Sequence, residues 1–138
     1  MAILQIALCF GIGALLGLEM PGNAGLAFLV LLVMGICCVE LGLILGLLFN
    51  VNQVSGVGSV IITLVALLGG IWIDIEAIGG VFYGIGNALP FAHAIDAARD
   101  AMIGAGFSSI ATDFYWVLGY TVVFFALGTF LFRRRMVE

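Results

Sequence analysis

The stretch that decides the fold class is residues 24–49, AGLAFLVLLVMGICCVELGLILGLLF. It contains one charged residue, Glu40, and it is longer than the roughly 20 apolar residues with which an α-helix crosses a bilayer core. A run of this length with a single charged residue has no place on the surface of a water-soluble domain. The stretch therefore predicts a transmembrane helix with some tilt.

The composition of the whole chain extends this prediction. The 138 residues are 64% hydrophobic and 9% charged, whereas soluble domains carry about 25% charged residues. So few charges cannot cover a water-exposed surface of this size, and lipid must be the main solvent. The net charge of −4 gives no basic surface for a nucleic acid, so we expect none as a partner.

Three further apolar runs, residues 3–18, 57–73 and 114–132, predict additional spans. We therefore expect one all-α transmembrane domain over residues 1–138, with about four membrane-crossing helices. The polar, uncharged residues 50–56 predict a turn between the second and third spans. Thr112 or Asp113 is the expected N-cap of the last span.

The segment between the last two spans, residues 76–106, is apolar but interrupted by glycines and by Pro90. It predicts two short helices, residues 78–85 and 90–103. The second would be about 21 Å long, too short for a core of about 30 Å. We therefore expect a re-entrant or interfacial helical hairpin.

Orientation follows from Arg133–Arg135, the basic cluster that ends the last span. By the positive-inside rule the C-terminus is cytoplasmic, and four spans place the N-terminus there too. The hairpin and most of the acidic residues then lie outside: Glu19, Asp74, Glu76, Asp96, Asp100 and Asp113. We expect a multi-pass protein of the cell membrane, either plasma or inner.

The second short helix contains the most patterned residues of the chain. Pro90 suits its first turn, where a missing N–H is not needed. Four polar residues share one face: His93, Asp96, Arg99 and Asp100. The opposite face is apolar: Phe91, Ile95, Ala98 and Met102. This arrangement predicts an amphipathic helix at the outer interface or along a vestibule, with Asp96 and Arg99 paired across one turn.

Glu40 is the notable polar residue within a span. A carboxylate near the bilayer centre costs about 2.5–3.5 kcal/mol, so it requires an explanation. Glu40 is either a substrate or proton site in a cavity, or a protonated or paired residue in a helix interface. The sequence leaves both readings open.

Small-residue spacings indicate helix packing, because glycines four residues apart let backbones approach closely in lipid. The pairs are Gly13 and Gly17, Gly42 and Gly46, and Gly80 and Gly84. Catalytic motifs are missing: no Gly-Lys-Ser/Thr phosphate loop and no GxSxG or HExxH pattern occurs. Cys9, Cys37 and Cys38 predict free thiols, and we expect neither a metal site nor enzymatic activity.

Several features in this order resemble a known family. They are Leu41–Gly46 (LGLILG), Leu68–Trp72 (LGGIW), Leu89-Pro90 followed by Ala97-Ala98-Arg99, and the terminal Phe132–Arg135 (FRRR). Together they are similar to the C-terminal four-span portion of the permease subunit of type-2 ATP-binding-cassette (ABC) exporters. Permeases of that family usually have six spans, so we expect a truncated or split permease, or part of a longer chain.

The resemblance implies a function. In that family the hairpin dips back into the membrane as an outer gate, here with Pro90, His93, Asp96, Arg99 and Asp100. ATP and Mg²⁺ would bind to a partner ABC ATPase, with no cofactor in this chain. A second permease subunit, identical or different, would complete a path for a hydrophobic or amphiphilic substrate.

Two other functions compete with this interpretation. One is a small four-helix membrane protein with a structural or regulatory role in a complex. The other is part of a secondary transporter that uses Glu40 as its proton site. A neighbouring gene for an ABC ATPase would favour the exporter, and transport driven by a proton gradient would favour the secondary transporter.

Overall fold

The computed structural model describes residues 2–17, 22–72 and 75–137, and these form helices joined by turns. In chain order the helices are α1 (Ala2–Leu15), α2 (Ala24–Leu48), α3 (Val51–Leu68), α4 (Ile75–Ile78), α5 (Gly80–Ala88), α6 (Pro90–Met102) and α7 (Phe107–Val137). The predicted all-α membrane fold is confirmed. Glu19 and Asp74 lie outside the described residues, as does the side chain of Glu76.

Among the described residues, three helices are long and apolar enough to cross a membrane: Ala24–Leu48, Val51–Leu68 and Phe107–Arg135. The first predicted span corresponds to a shorter apolar helix, Ile3–Leu15, and its predicted end at Leu18 lies outside the described residues. The structure therefore shows three candidate spans, and the fourth stays a prediction.

The expected turn at residues 50–56 is wrong, because α3 begins at Val51. The backbone N–H of Asn50 donates to Gln53 Oε1 at 3.3 Å, which closes the start of the helix. Inside α3 the hydroxyls of Ser59 and Thr63 each donate to the carbonyl four residues earlier, at 2.8 Å. Polar side chains that satisfy themselves within the helix do not interrupt it.

The start of α7 also differs from the prediction. The helix begins at Phe107, so Thr112 and Asp113 lie inside it and do not cap it. The preceding turn ends at Gly104, whose φ of +95° suits glycine. At its other end α7 continues through Arg134 and Arg135.

The segment between α3 and α7 forms three short helices, so the predicted helix 78–85 is displaced. Gly79 and Gly80 have φ of +64° and +63°, which separates α4 from α5. Leu89 is extended, with ψ of 150°, as expected for a residue before proline, and Pro90 then begins α6. The second predicted helix agrees closely with α6.

The core lies where α2, α6 and α7 meet. Its buried side chains are Ala27 and Val30 from α2, Ala97, Ala98 and Ala101 from α6, and Ile110 from α7. Phe10 of α1 packs against this cluster. The alanines of α6 allow helices to approach closely, as small residues do in membrane bundles.

Helix α6 is more enclosed than the expected amphipathic surface helix. It packs against α2, α3, α5 and α7, and seven of its residues are buried: Pro90, Phe91, Ala92, Ala94, Ala97, Ala98 and Ala101. Of the predicted apolar face, Phe91 and Ala98 are buried, whereas Met102 is 51% exposed. Protein therefore surrounds much of this short helix.

Candidate functional site

Several chain segments meet at one end of the bundle, which we call the hairpin end: residues 22–23, 69–70 and 80–113. The end of α6 meets the start of α2 there. The backbone N–H groups of Gly22 and Asn23 donate to the carbonyls of Met102 and Ala101, both at 3.3 Å. Each helix end thereby satisfies backbone groups that the other leaves free.

Two further contacts close this junction. The Asn23 side chain donates from Nδ2 to the Ala105 carbonyl at 2.7 Å and to the Gly104 carbonyl at 3.3 Å. A Cβ atom on Gly22 would lie only 2.7 Å from the Gly104 Cα. No side chain fits at Gly22, so the start of α2 and the end of α6 are in direct backbone contact.

His93 is the central polar residue of the hairpin end. Its Nδ1 lies 2.7 Å from Asp113 Oδ1 on α7, and its Nε2 lies 2.8 Å from the Asn87 carbonyl oxygen at the end of α5. The side chains of His93 and Asp113 are 14% and 26% exposed. The rings of His93 and Trp116 also make a T-shaped contact at a centroid distance of 5.4 Å.

Tyr120 makes a second connection between α7 and α5. Its hydroxyl donates to the Ala88 carbonyl at 2.6 Å. Two successive carbonyls at the end of α5 are therefore bonded by side chains of α6 and α7. Tyr120 stands between Trp116 and Phe124 in a series of ring contacts at 6.2 and 5.9 Å.

Arg99 makes its shorter contact outside α6. Its Nη2 donates to the Gly70 carbonyl, just beyond α3, at 2.8 Å. The predicted pair with Asp96 exists, but its Nη1–Oδ1 distance is 3.9 Å and both side chains are more than half exposed. Exposed pairs of this kind contribute little to stability. Arg99 therefore connects α6 to the end of α3.

Pro90 and Asp100 are the other predicted residues of this site. Pro90 is buried at the first position of α6, as its missing N–H allows. Asp100 is half-buried, and its carbonyl accepts the backbone N–H of Ala105 at 2.9 Å. The structure thus brings His93 and Arg99 into contacts with neighbouring helices.

Glu40 belongs to a different part of the molecule. It lies about 24 Å along α2 from Ala24, at 1.5 Å per residue, whereas the hairpin end surrounds the start of that helix. Its Oε2 is buried and has no hydrogen-bond partner among the described residues. Burial of a carboxyl oxygen without a partner costs free energy, and no hydrogen bond within the described residues offsets this cost for Glu40 Oε2.

Five of the six glycines in the predicted pairs show no close packing within the described chain. A Cβ atom would meet nothing within 4 Å at five of them: Gly17, Gly42, Gly46, Gly80 and Gly84. Close helix packing occurs instead at Gly69, where an added Cβ atom would lie 3.0 Å from Ile95 Cδ1, and at Gly128, where it would lie 3.4 Å from Leu43 Cδ2. Packing of the predicted pairs against another chain stays a prediction.

Sequence reasoning missed the residues that connect the hairpin end. Asn87, Asp113 and Tyr120 contribute atoms from other helices, 6, 20 and 27 positions from His93 in the sequence. Trp116, Tyr120 and Phe124 recur every four residues, which places the three rings on one helix face. That spacing could have predicted the row of rings on α7 from the sequence, but it does not identify the α5 carbonyls that accept the hydrogen bonds.

The fold and this site define a class of protein: a multi-pass helical membrane protein with a short hairpin enclosed at one end. The model of the ABC-2 type transporter family matches residues 1–103, about three quarters of the chain, and the chain belongs to this family. The resemblance predicted from the sequence is confirmed, and the chain is a multi-pass membrane member of this family.

A curated relative agrees with this assignment. Nodulation protein J of Rhizobium meliloti (strain 1021) is 32% identical over 79 residues, which cover 57% of this chain and 30% of that protein. The chain therefore spans about 30% of the length of the curated relative it matches. No solved structure matches the chain.

Proposed function

We propose that the chain is a membrane-spanning permease subunit of an ATP-driven ABC exporter. The observation that carries this proposal is the enclosed hairpin of α5 and α6 between two candidate spans, in a chain of the ABC-2 family. ATP hydrolysis takes place on a partner ABC ATPase, which binds ATP and Mg²⁺. This chain contributes the path and not the ATPase site.

The hairpin end acts as the outer gate of that path. Contacts of His93, Arg99 and Tyr120 join α5 and α6 to α3 and α7. A helix that is bonded at several points has discrete packed arrangements, as two-state transport requires. Nucleotide-driven movement of the spans would shift these contacts between a closed and an open arrangement.

Orientation follows from the two ends of α7. The helix has 31 residues, about 46 Å at 1.5 Å per residue, and its start lies at the hairpin end while Arg134 and Arg135 lie in its last turn. The positive-inside rule supports a cytoplasmic C-terminus and an outer hairpin. With four spans the N-terminus is cytoplasmic as well, in the plasma or inner membrane.

The substrate class is hydrophobic or amphiphilic. Helix α5 exposes Val81, Phe82 and Ile85, so the proposed gate offers an apolar surface. Charged side chains are few across the whole chain, which disfavours a highly charged cargo. The apolar surface supports a substrate that partitions into the bilayer before export.

A second permease subunit, identical or different, would complete the path. Helix α3 has no buried residue in the described chain, and the glycines of α2 at positions 42 and 46 have open space beside them. Small residues favour close helix contacts in lipid. Glu40, whose Oε2 has no partner here, would face this second subunit or the path.

Reconstitution tests the proposal. The chain is tagged and purified from its native membrane in mild detergent, and the complex with the ABC ATPase that comes with it is placed in vesicles with a fluorescent amphiphile. We expect ATP-dependent export that is lost when the phosphate-loop lysine of the ATPase is replaced. Failure of the ATPase to co-purify would favour the structural or regulatory role.

Glu40 distinguishes the remaining alternative. Export by an ABC complex should persist when an ionophore removes the proton gradient, and Glu40→Gln should leave its dependence on ATP intact. Transport that needs the gradient and disappears in Glu40→Gln would instead identify a secondary transporter and contradict the proposal.

A further inference from the structure

The His93 side chain makes two hydrogen bonds that point to acceptors on different helices. Asn87 offers a backbone carbonyl at 2.8 Å, and Asp113 offers a carboxyl group at 2.7 Å. A carbonyl oxygen can only accept, so His93 Nε2 must carry a proton. The Nδ1–Oδ1 contact also contains a proton, whichever of the two atoms holds it.

The geometry therefore requires two protons, one on His93 Nε2 and one between His93 Nδ1 and Asp113 Oδ1. The complete arrangement is either an imidazolium with a carboxylate or a neutral imidazole with a protonated Asp113. A neutral imidazole beside an ionised Asp113 has one N–H and can donate to one of its two partners only. Such a ring would donate either to the Asn87 carbonyl of α5 or to the Asp113 carboxylate of α7. In the contact without a proton, two acceptor atoms would face each other.

We propose that His93 and Asp113 form a proton-dependent clamp that joins α5, α6 and α7. With its shared proton the pair holds the end of α5 against α7. When that proton leaves, one of the two hydrogen bonds is lost and the hairpin loosens. The ligand of this site is a proton, and the clamp makes the rigidity of the hairpin depend on pH at the hairpin end.

The ionisable surroundings of His93 are few. Helix α7 contributes the ionisable groups Asp113, Tyr115 and Tyr120, and α5 contributes Tyr83. Helix α6 itself carries Asp96, Arg99 and Asp100. Helix α3 has no ionisable group, and the groups of α2, which are Cys37, Cys38 and Glu40, lie in the middle part of that helix. Of these groups, Asp113 bonds the His93 ring. The Asp96 and Arg99 side chains are more than half exposed, where water screens them.

The clamp remains in reach of solvent protons. The side chains of His93 and Asp113 are 14% and 26% exposed, so the pair is neither sealed nor fully solvated. Its role as the control of an export gate rests on the proposed function. The pH dependence of the contacts is a property of the fold itself and can be measured without any ATPase.

Distance measurement between spin labels tests the clamp. Cys9, Cys37 and Cys38 are replaced by serine, and labels are attached to cysteines at Val81 of α5 and Ser109 of α7, both exposed. The full chain is placed in lipid nanodiscs. Between about pH 5 and pH 9, the distance distribution should broaden as the pH rises.

A substitution at Asp113 gives the sharper test. In Asp113→Asn the amide N–H can donate to a neutral His93 Nδ1 while Nε2–H still donates to Asn87. The clamp then closes without the extra proton, so the distribution should stay narrow over the whole range. His93→Gln should lose the pH dependence as well, and Asp100→Asn, on the same helix, should keep it.

Two results would overturn the clamp. One is an unchanged distance distribution in the native pair over the whole pH range. The other is a pH dependence in Asp113→Asn that equals that of the unsubstituted chain. Since neither result involves transport, a failed export assay would leave the clamp standing, and a failed clamp would leave the permease proposal standing.

Discussion

Helices α6 and α3 differ in a way that hydrophobicity alone would not suggest. Helix α6 is short, includes His93, Asp96, Arg99 and Asp100, and buries seven of its 13 residues. Helix α3 is longer, has no charged residue and buries none. In this chain the more polar helix is enclosed by protein, and the more apolar helix is left to lipid or to another chain.

The physical reason is that lipid is as good a solvent for leucine as another helix. Helix association in a bilayer depends on close packing and on hydrogen bonds. Helix α6 supplies both, with its alanines and with contacts from His93 and Arg99. A backbone that turns within the membrane region must also be enclosed by protein to satisfy its polar groups.

The strongest test of this difference compares two isoleucines. Ile110 of α7 is fully buried in the core, and Ile62 of α3 is 70% exposed. Ile110→Ala should lower the free energy of unfolding by about 2 kcal/mol or more, because it leaves a cavity. Ile62→Ala should change it by less than about 0.5 kcal/mol. Unfolding in mixed detergent micelles measures both, and equal effects would contradict the assignment of the core.

A second test adds volume where α6 meets its neighbours. Ala97 is fully buried, so Ala97→Leu should cost about 1–3 kcal/mol through overpacking. The same substitution at Ala126 of α7, which is exposed, should be nearly neutral. If Ala97→Leu left the thermal stability unchanged, α6 would not be enclosed in the way described.

A third test removes the polar contact between α2 and α6. Asn23→Ala leaves the Ala105 carbonyl without its donor at 2.7 Å, and we expect a loss of about 1–2 kcal/mol. Asn52→Ala, at an exposed position of α3, is the matched control. Hydrogen exchange of the backbone at the end of α6 should rise in the first variant alone.

The smallest expected effect concerns Arg99. Arg99→Ala removes the bond to the Gly70 carbonyl and should cost about 1 kcal/mol, since the side chain is more than half exposed. Thermal unfolding in detergent measures this loss. An Arg99→Ala variant as stable as the unsubstituted chain would contradict a stabilising bond from Arg99 to Gly70.

Much of the fold could be predicted from local features. The run at residues 24–49 specifies a span by length alone, and Pro90 marks the start of α6 because its ring fits a first helical turn. The order of elements was enough to indicate the ABC-2 family. These features depend on residues that are close in the sequence, so they can be predicted without knowledge of the tertiary contacts.

The errors came from side chains whose partners lie far along the chain. Asp113 was read as a helix cap because carboxylates often start helices, whereas it bonds His93 twenty residues away. A second error was local: residues 50–56 were predicted as a turn, although Asn50 N–H donates to Gln53 Oε1 and the Ser55 carbonyl accepts the Ser59 hydroxyl within the helix. Local rules cannot choose between such alternatives without the tertiary contacts.

The junction between Asn23 and Ala105 has a consequence for biosynthesis. These residues are 82 positions apart, so α2 is synthesised long before the carbonyl that accepts from the Asn23 side chain. During that interval the backbone amides of Gly22 and Asn23, which donate to the end of α6 in the folded chain, depend on water or on the insertion machinery. Completion of the bundle is therefore a late event, and a nascent chain arrested before α6 would present an unfinished helix start to cellular quality control.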